Sequence, residues 1–214
     1  MIKKLLTLLC MQLALCCTSF AANYLTFTAE EDNSSFSIED NNIKSNIFYS
    51  LDNGKTWKQL TGQPVSLAKG KRALLKGGKP NGTPSWRNSS SFKMEGNIAA
   101  SGSVMSLVDG NGEGKTIPYD YCFYRLFYGC SSLTQAPELP ATTLAYGCYE
   151  RMFSGCTKLS RIKVALSEWG TSTLSWLTGV AENGTFICPK KLPIKYGENF
   201  IPKGWKIENK DTNK

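Results

Sequence analysis

The stretches Tyr121–Leu133, YCFYRLFYGCSSL, and Gly147–Leu159, GCYERMFSGCTKL, lie 26 residues apart and decide the fold. Six of their thirteen positions are identical: Cys122/Cys148, Arg125/Arg151, Phe127/Phe153, Gly129/Gly155, Cys130/Cys156 and Leu133/Leu159. Phe123/Tyr149, Leu126/Met152 and Ser131/Thr157 are conservative pairs. A degraded third copy follows, with Trp176-Leu177-Thr178-Gly179-Val180 over Met152–Cys156 at a spacing shortened to 24.

Recurrence at about 20–29 residues with fixed apolar positions marks a leucine-rich-repeat solenoid, whose units bury their apolar faces only by stacking on one another. Within a unit, Cys122, Leu126, Phe127 and Cys130 are spaced i, i+4, i+5, i+8, which predicts one face of a short helix ended by Gly129. Thr134–Pro140 is too proline-rich for a helix and reads as extended chain. Ser160–Leu166, with Ile162 and Val164 alternating, reads as a half-buried strand. The structural repeat positions are Cys122, Leu126, Phe127, Gly129, Cys130 and Leu133, matched by Cys148, Met152, Phe153, Gly155, Cys156 and Leu159.

Upstream, Tyr24–Thr28, Ser35–Ile38, Asn46–Ser50, Val65–Leu67, Ala73–Leu75 and Ser91–Met94 are short, often alternating, and separated by Gly, Asn and Pro, an all-β, sandwich-like pattern. Inside it, Ser50-Leu-Asp52-Asn-Gly54-Lys-Thr56-Trp57 matches the S-x-D-x-G-x-T-W Asp-box hairpin of β-propellers. The motif predicts a structural turn, with Asp52 accepting bonds from backbone N–H groups, Gly54 at positive φ and Trp57 packed beneath. The expected fold class is α+β: an all-β sandwich-like domain over 22–115, a short leucine-rich-repeat solenoid of strand plus short helix over 116–188, and a C-terminal extension or cap over 189–214.

The chain of 214 residues contains no histidine, which removes His-based general-base chemistry, Ser-His-Asp and Cys-His nucleophiles, and every His-containing metal site. No catalytic residue, cofactor site or metal site is assigned. Met1–Ala22 reads as an export signal over 1–21, with Lys3 and Lys4, an apolar run from Leu5 to Cys17, and the small-x-small site Ser19-Phe20-Ala21. The run is too short to span a bilayer comfortably, so no transmembrane span is expected. Cys16 and Cys17 raise a lipid-anchor alternative, which the large residue before Cys16 disfavours. The net charge of +8 becomes +6 once Lys3 and Lys4 leave with the leader, and its lysines are scattered, so nucleic acid is not an expected partner. Lys69-Gly-Lys71-Arg72…Lys76…Lys79 reads as a hairpin with solvated lysines, and Asp109-Gly-Asn111-Gly-Glu113-Gly114 as a linker lacking calcium-loop spacing.

Outside the leader, five cysteines remain, an odd number. Stacked repeats place Cys122 beside Cys148 and Cys130 beside Cys156, about one strand spacing (~4.8 Å) apart. Parallel side chains in a column disfavour disulfide geometry, so buried free thiols are favoured over bridges.

YCFYRLFYGCSSLTQAPELPATTLA, CYERMFSGCTKLSRIKV and WLTGVAENGTFICPKKLPIKYGENFIPKGWKIEN together resemble the BspA-like leucine-rich-repeat surface proteins of anaerobic Gram-negative bacteria, over about Thr116–Asn209. The resemblance implies an adhesin- or receptor-like protein displayed on or released from the cell surface, binding a host or bacterial surface protein without catalysis, and the export signal allows the cell surface, the periplasm or the exterior. This chain has about two full repeats where relatives often carry many. The alternative reading is a glycan-binding accessory protein of a carbohydrate-processing system, its β domain holding the sugar. Tyr124 and Tyr128 are the candidate partner contacts, because their columns hold Glu150 and Ser154 in the second repeat and so should face water together; the alternatives are that the pair covers the packing seam with the β domain or is exposed by chance. Export predicts a mature amino terminus at Ala22. Intact-mass analysis of protein from the native envelope checks it, and a diacylglyceryl adduct on Cys16 or Cys17 is the result that would replace cleavage after Ala21 by lipid anchoring.

Overall fold

The computed structural model describes residues 22–42, 44–78 and 83–210. The leader and Lys79 lie outside the described residues. The upstream strands are β1 (Leu25–Ala29), β2 (Ser34–Asn41), β3 (Ile47–Ser50), β4 (Lys58–Gln59), β5 (Val65–Leu67), β6 (Arg72–Gly77), β7 (Ser89–Glu95) and β8 (Ile98–Ser101), followed by a single turn of helix α1 (Ser106–Asp109). Downstream come β9 (Leu133–Leu139), β10 (Arg161–Val164), β11 (Thr185–Pro189) and β12 (Lys206–Lys210), with a 3₁₀ turn at Thr171–Thr173. The strands form a nine-stranded sheet in the order β12-β11-β10-β9-β8-β1-β6-β3-β4 and a three-stranded sheet in the order β5-β2-β7.

The large sheet changes character at β8. This strand pairs antiparallel with β1 on one side and parallel with β9 on the other, and every pairing from β9 to β12 is parallel. The two sheets close on Phe27 of β1, whose ring meets Phe36 of β2 at 5.2 Å and Phe92 of β7 at 5.0 Å, both edge to face. Phe92 stacks on Phe127 at 5.1 Å, and Phe127 on Phe153 at 5.3 Å with 9° between the planes, so one aromatic file runs from the two-sheet region into the coils. Phe123 and Tyr149 repeat the stack at 6.0 Å and 12°. All these rings are buried, and aromatic pairs of this kind contribute about 0.5–1.5 kcal/mol each beyond their area.

The expected helices do not form, and the α+β class is corrected: the chain is almost wholly β, with a β-solenoid in its C-terminal half. Residues 120–129 and 146–155 are runs of turns. The N–H groups of Tyr124, Leu126, Tyr128 and Cys130 donate three residues back, to Tyr121, Phe123, Arg125 and Phe127. Those of Tyr121, Phe123, Arg125, Phe127 and Gly129 instead cross to the next coil, to the carbonyls of Tyr146, Cys148, Glu150, Met152 and Ser154. The second coil repeats this, with Tyr149, Arg151, Phe153 and Gly155 donating to Ser172, Leu174, Trp176 and Thr178.

Backbone conformation explains the alternation. Positive φ recurs at every fourth residue, at Tyr121, Arg125 and Gly129, at Gly147, Arg151 and Gly155, and at Ser175 and Gly179. A left-handed residue cannot continue a right-handed helix, so each reverses the chain and turns alternate N–H groups outward along the stack. A period of four is close to 3.6, and this is why the spacing of Cys122, Leu126 and Cys130 imitates a helical face. Glycine is favoured where coils approach most closely: Gly155 has φ 82°, and a Cβ on it would lie 3.3 Å from the Cα of Gly129.

The third coil is finished by side chains. The Ser175 N–H donates to the Asn199 side-chain carbonyl at 2.8 Å, the Ser175 hydroxyl to Glu198 at 2.7 Å, and the Trp176 indole N–H to the Phe200 carbonyl at 2.9 Å.

Arg151 offers a direct check on turn against helix. It is exposed, its φ is 52°, and its side chain bonds nothing among the described residues. Glycine within a helix would cost about 1 kcal/mol, whereas here it relieves a left-handed strain of about 1–2 kcal/mol that exceeds glycine's added entropy when unfolded. Arg151→Gly should therefore unfold at the same denaturant concentration as the parent or a higher one; a clear drop in the midpoint would restore the helix.

Candidate binding surface

The turn ladder carries an unbroken file of aromatic rings and one guanidinium, open to water at Tyr128 and Tyr146. Tyr146 meets Tyr121 at 5.5 Å, and Tyr121 meets Tyr124 at 5.7 Å, both edge to face. The Arg125 guanidinium then lies 5.3 Å from the Tyr124 ring centre and 4.7 Å from that of Tyr128. Tyr128 is 43% exposed and Tyr146 49%, while Tyr124 is only 5% exposed.

Each member is fixed by the ladder. Tyr121 lies across Gly147, where a Cβ would stand 2.7 Å from the ring, and the left-handed backbone there favours glycine as well. Tyr146 is held by its backbone N–H donating to Asp120 Oδ1 at 3.0 Å. The Arg125 carbonyl accepts the Ser91 hydroxyl at 2.9 Å, tying the turn to β7. The Arg125 Nε is buried without a hydrogen-bond partner, and the faces of two tyrosines compensate the cation in place of a carboxylate. Burial raises the Tyr121 phenol above its ordinary pKa, and the adjacent Tyr146 adds to the shift.

The expectation that Tyr124 and Tyr128 face water together holds for Tyr128 and fails for Tyr124. The first coil is covered by the upstream sheets and the second is not. The Phe92 N–H donates to the Leu126 carbonyl at 2.7 Å, so β7 occupies the place of a preceding coil. Tyr124 therefore lines a narrow cleft of about 60 Å³ with Ile47, Ser90 and Val108, room for little more than a few waters. Glu150, in the same column, has no such cover. Tyr121 and Tyr146 escaped the sequence reading: Tyr146 shares its column with Asp120, exposed like it, whereas Tyr121 is aligned with Gly147, which carries no signal.

The apolar repeat positions are core, whereas Gly129 is exposed and Gly155 half-buried. Leu126, Phe127, Cys130 and Leu133, and Cys148, Met152, Phe153, Cys156 and Leu159, are all buried, with Cys122 half-buried. Five free thiols are present among the described residues. The Cys130 thiol donates to the Phe92 carbonyl at 3.2 Å and the Cys156 thiol to the Phe127 carbonyl at 3.0 Å, so each sulfur completes a carbonyl of the layer before it. Burial pushes the Cys130 and Cys148 thiols up to about 12 and raises Cys122 and Cys156 as well, the reverse of an activated nucleophile. The Tyr149 hydroxyl is buried without a partner, a local cost accepted in exchange for the ring stack.

The Ser50–Trp57 motif closes the β3–β4 hairpin. Asp52 accepts from the Thr56 N–H at 2.9 Å and the Thr56 hydroxyl at 2.6 Å, and the Ser50 hydroxyl bonds Asp52 at 2.7 Å while accepting the Gly54 N–H at 2.8 Å. Gly54 has φ 87°, and the Trp57 indole N–H donates to its carbonyl at 3.1 Å. Trp57 packs on Tyr24 at 5.1 Å, with the Lys76 ammonium 4.1 Å from its ring centre. In the glycine-rich loop, Asp109 accepts the N–H groups of Asn111, Gly112 and Gly114, so its oxygens serve the turn.

No family model matches the chain, and neither the curated proteins nor the solved structures include a match. The reading of this surface therefore rests on the residues themselves.

The hydrogen bonds to Asp52 hold its carboxyl well below the usual carboxylate range, Thr56 contributing most. A depressed folded pKa stabilises the fold above the unfolded value of about 3.9 and loses that contribution as pH falls toward the folded one. Asp52→Asn should thus be less stable than the parent at pH 7, with the gap closing progressively below about pH 4. Equal unfolding midpoints at pH 7 would remove the hairpin from the list of stabilising elements.

Proposed function

We propose that this chain is an exported, non-catalytic binding protein of the adhesin or receptor type, and that a partner protein docks on the ladder surface around Tyr128, Arg125 and Tyr146. The observation that carries the reading is the ring file itself. Exposed tyrosines next to an arginine are the residue types that dominate protein interfaces, and here they are locked by ring contacts, so little side-chain freedom is lost on docking. The absence of histidine and the upward-shifted thiols argue against nucleophilic or general-base catalysis. The resemblance to BspA-like surface proteins points the same way.

Tyr128 and Tyr124 separate contact from packing. On an array of host and bacterial surface proteins, Tyr128→Ser should lose about tenfold in affinity while its melting temperature falls less than that of Tyr124→Ser. Tyr124→Ser should lower the melting temperature by several degrees, because it opens the seam with the upstream sheets. Equal array signals from parent and Tyr128→Ser, or no signal from either, would reject the reading.

A further inference from the structure

Beside Tyr146, away from Tyr128, a groove of about 400 Å³ separates the loop that follows β9 from the loop that follows β10. Its walls include Tyr146, Trp169, Leu144, Glu168, Thr142 and Thr143. We propose that this groove is a saccharide-binding site for a neutral sugar that stacks its C–H face on the aromatic wall and turns its hydroxyls to Glu168 and the threonines.

The volume lies within the range of small-molecule sites, about 300–1,000 Å³. The aromatic wall is built before any ligand arrives. The Trp169 indole N–H is committed to the Pro193 carbonyl at 2.6 Å, and its ring packs on Phe200 at 5.4 Å and Trp176 at 6.1 Å. With its one donor spent, Trp169 offers the groove only apolar ring surface. Tyr146 faces it from the other loop, fixed by Asp120 and by Tyr121. Loop residues with rings set this firmly cost little ordering on binding.

The polar side of the groove selects the ligand class. Glu168 is exposed, lines the groove as its one charged residue, and is bonded by none of the described residues. A free carboxylate has two oxygens that accept from vicinal hydroxyls, the strong charge-assisted kind of bond, and it repels an acidic sugar. Hydroxyls of Thr142, Thr143, Ser167 and Thr171 supply both donors and acceptors, matching a ligand whose groups are themselves both. A sugar ring with one apolar face and a polar rim meets both requirements at once. A peptide would need backbone partners, and the unpaired strand edge of this half of the sheet is at β12, not in the groove.

The groove shares Tyr146 with the protein-docking surface but differs from it in ligand and in its other residues, so Glu168 reports on the groove alone and Tyr128 on the docking surface alone. The intact chain is applied to a printed array of neutral hexose and N-acetylhexosamine oligosaccharides alongside sialylated and sulfated ones. Binding to neutral glycans is expected, reduced about tenfold by Tyr146→Ala and several-fold by Glu168→Gln, both variants keeping the parent melting temperature, with Tyr128→Ser binding as the parent does. Silence on all neutral glycans would overturn the site. So would binding confined to the acidic glycans, or neutral binding that survives both Tyr146→Ala and Glu168→Gln. If Tyr128→Ser alone removed the sugar signal, the ligand would lie on the ladder surface and the groove would be empty of function.

Discussion

Everything downstream of β8 depends on a backbone bond that leaves its own coil. In the turn runs, alternate N–H groups reach across to the next layer, and the left-handed residue at every fourth position makes that geometry possible. Glycine fills this role at Gly129, Gly147, Gly155 and Gly179, but Tyr121, Arg125, Arg151 and Ser175 fill it too. A non-glycine residue there costs about 1–2 kcal/mol, and the stack accepts that cost because each inter-layer bond pairs a donor and an acceptor that the turns themselves leave unmatched. The rings of Phe127 and Phe153, nearly coplanar in direction at 9°, record how closely successive layers superimpose.

The joint between the halves obeys the same rule. β7 presents Phe92 where a preceding layer would stand, donating its N–H to Leu126 and accepting the Cys130 thiol on its carbonyl. β8 belongs to both pairing schemes, antiparallel toward β1 and parallel toward β9. The solenoid therefore begins on a ready-made layer, and the buried core passes through the junction as one cluster.

The repeat was legible because identical side chains at a fixed interval need no structural model to be seen. Strands were legible where Ile162 and Val164 alternate, and where short apolar runs upstream coincide with β1, β2, β3, β5, β6 and β7. The turns were not, since a four-residue period and a 3.6-residue period agree over nine residues, and only the sign of φ at Arg125 and Arg151 separates them. Tyr124 was misplaced for a different reason: comparing columns assumes that both layers have the same neighbours, and the first has β7 against it. The Ser50–Trp57 hairpin needed no neighbours, all its bonds being local, and it folds as its motif reads.

The amide of Asn199 has a broader consequence. It gives Ser175 the carbonyl that Glu150 gives Arg125 and Leu174 gives Arg151, so the last layer is completed by a side chain where the inner ones are completed by backbone. Termination is thus separated from repetition. A unit inserted between the layers would find the same donors and acceptors on both sides, and neither the starting layer at β7 nor the Asn199 end would need to change. Array length becomes a quantity that in-frame duplication or deletion can alter in whole steps, lengthening or shortening the reach of the outer surface while the two ends stay the same.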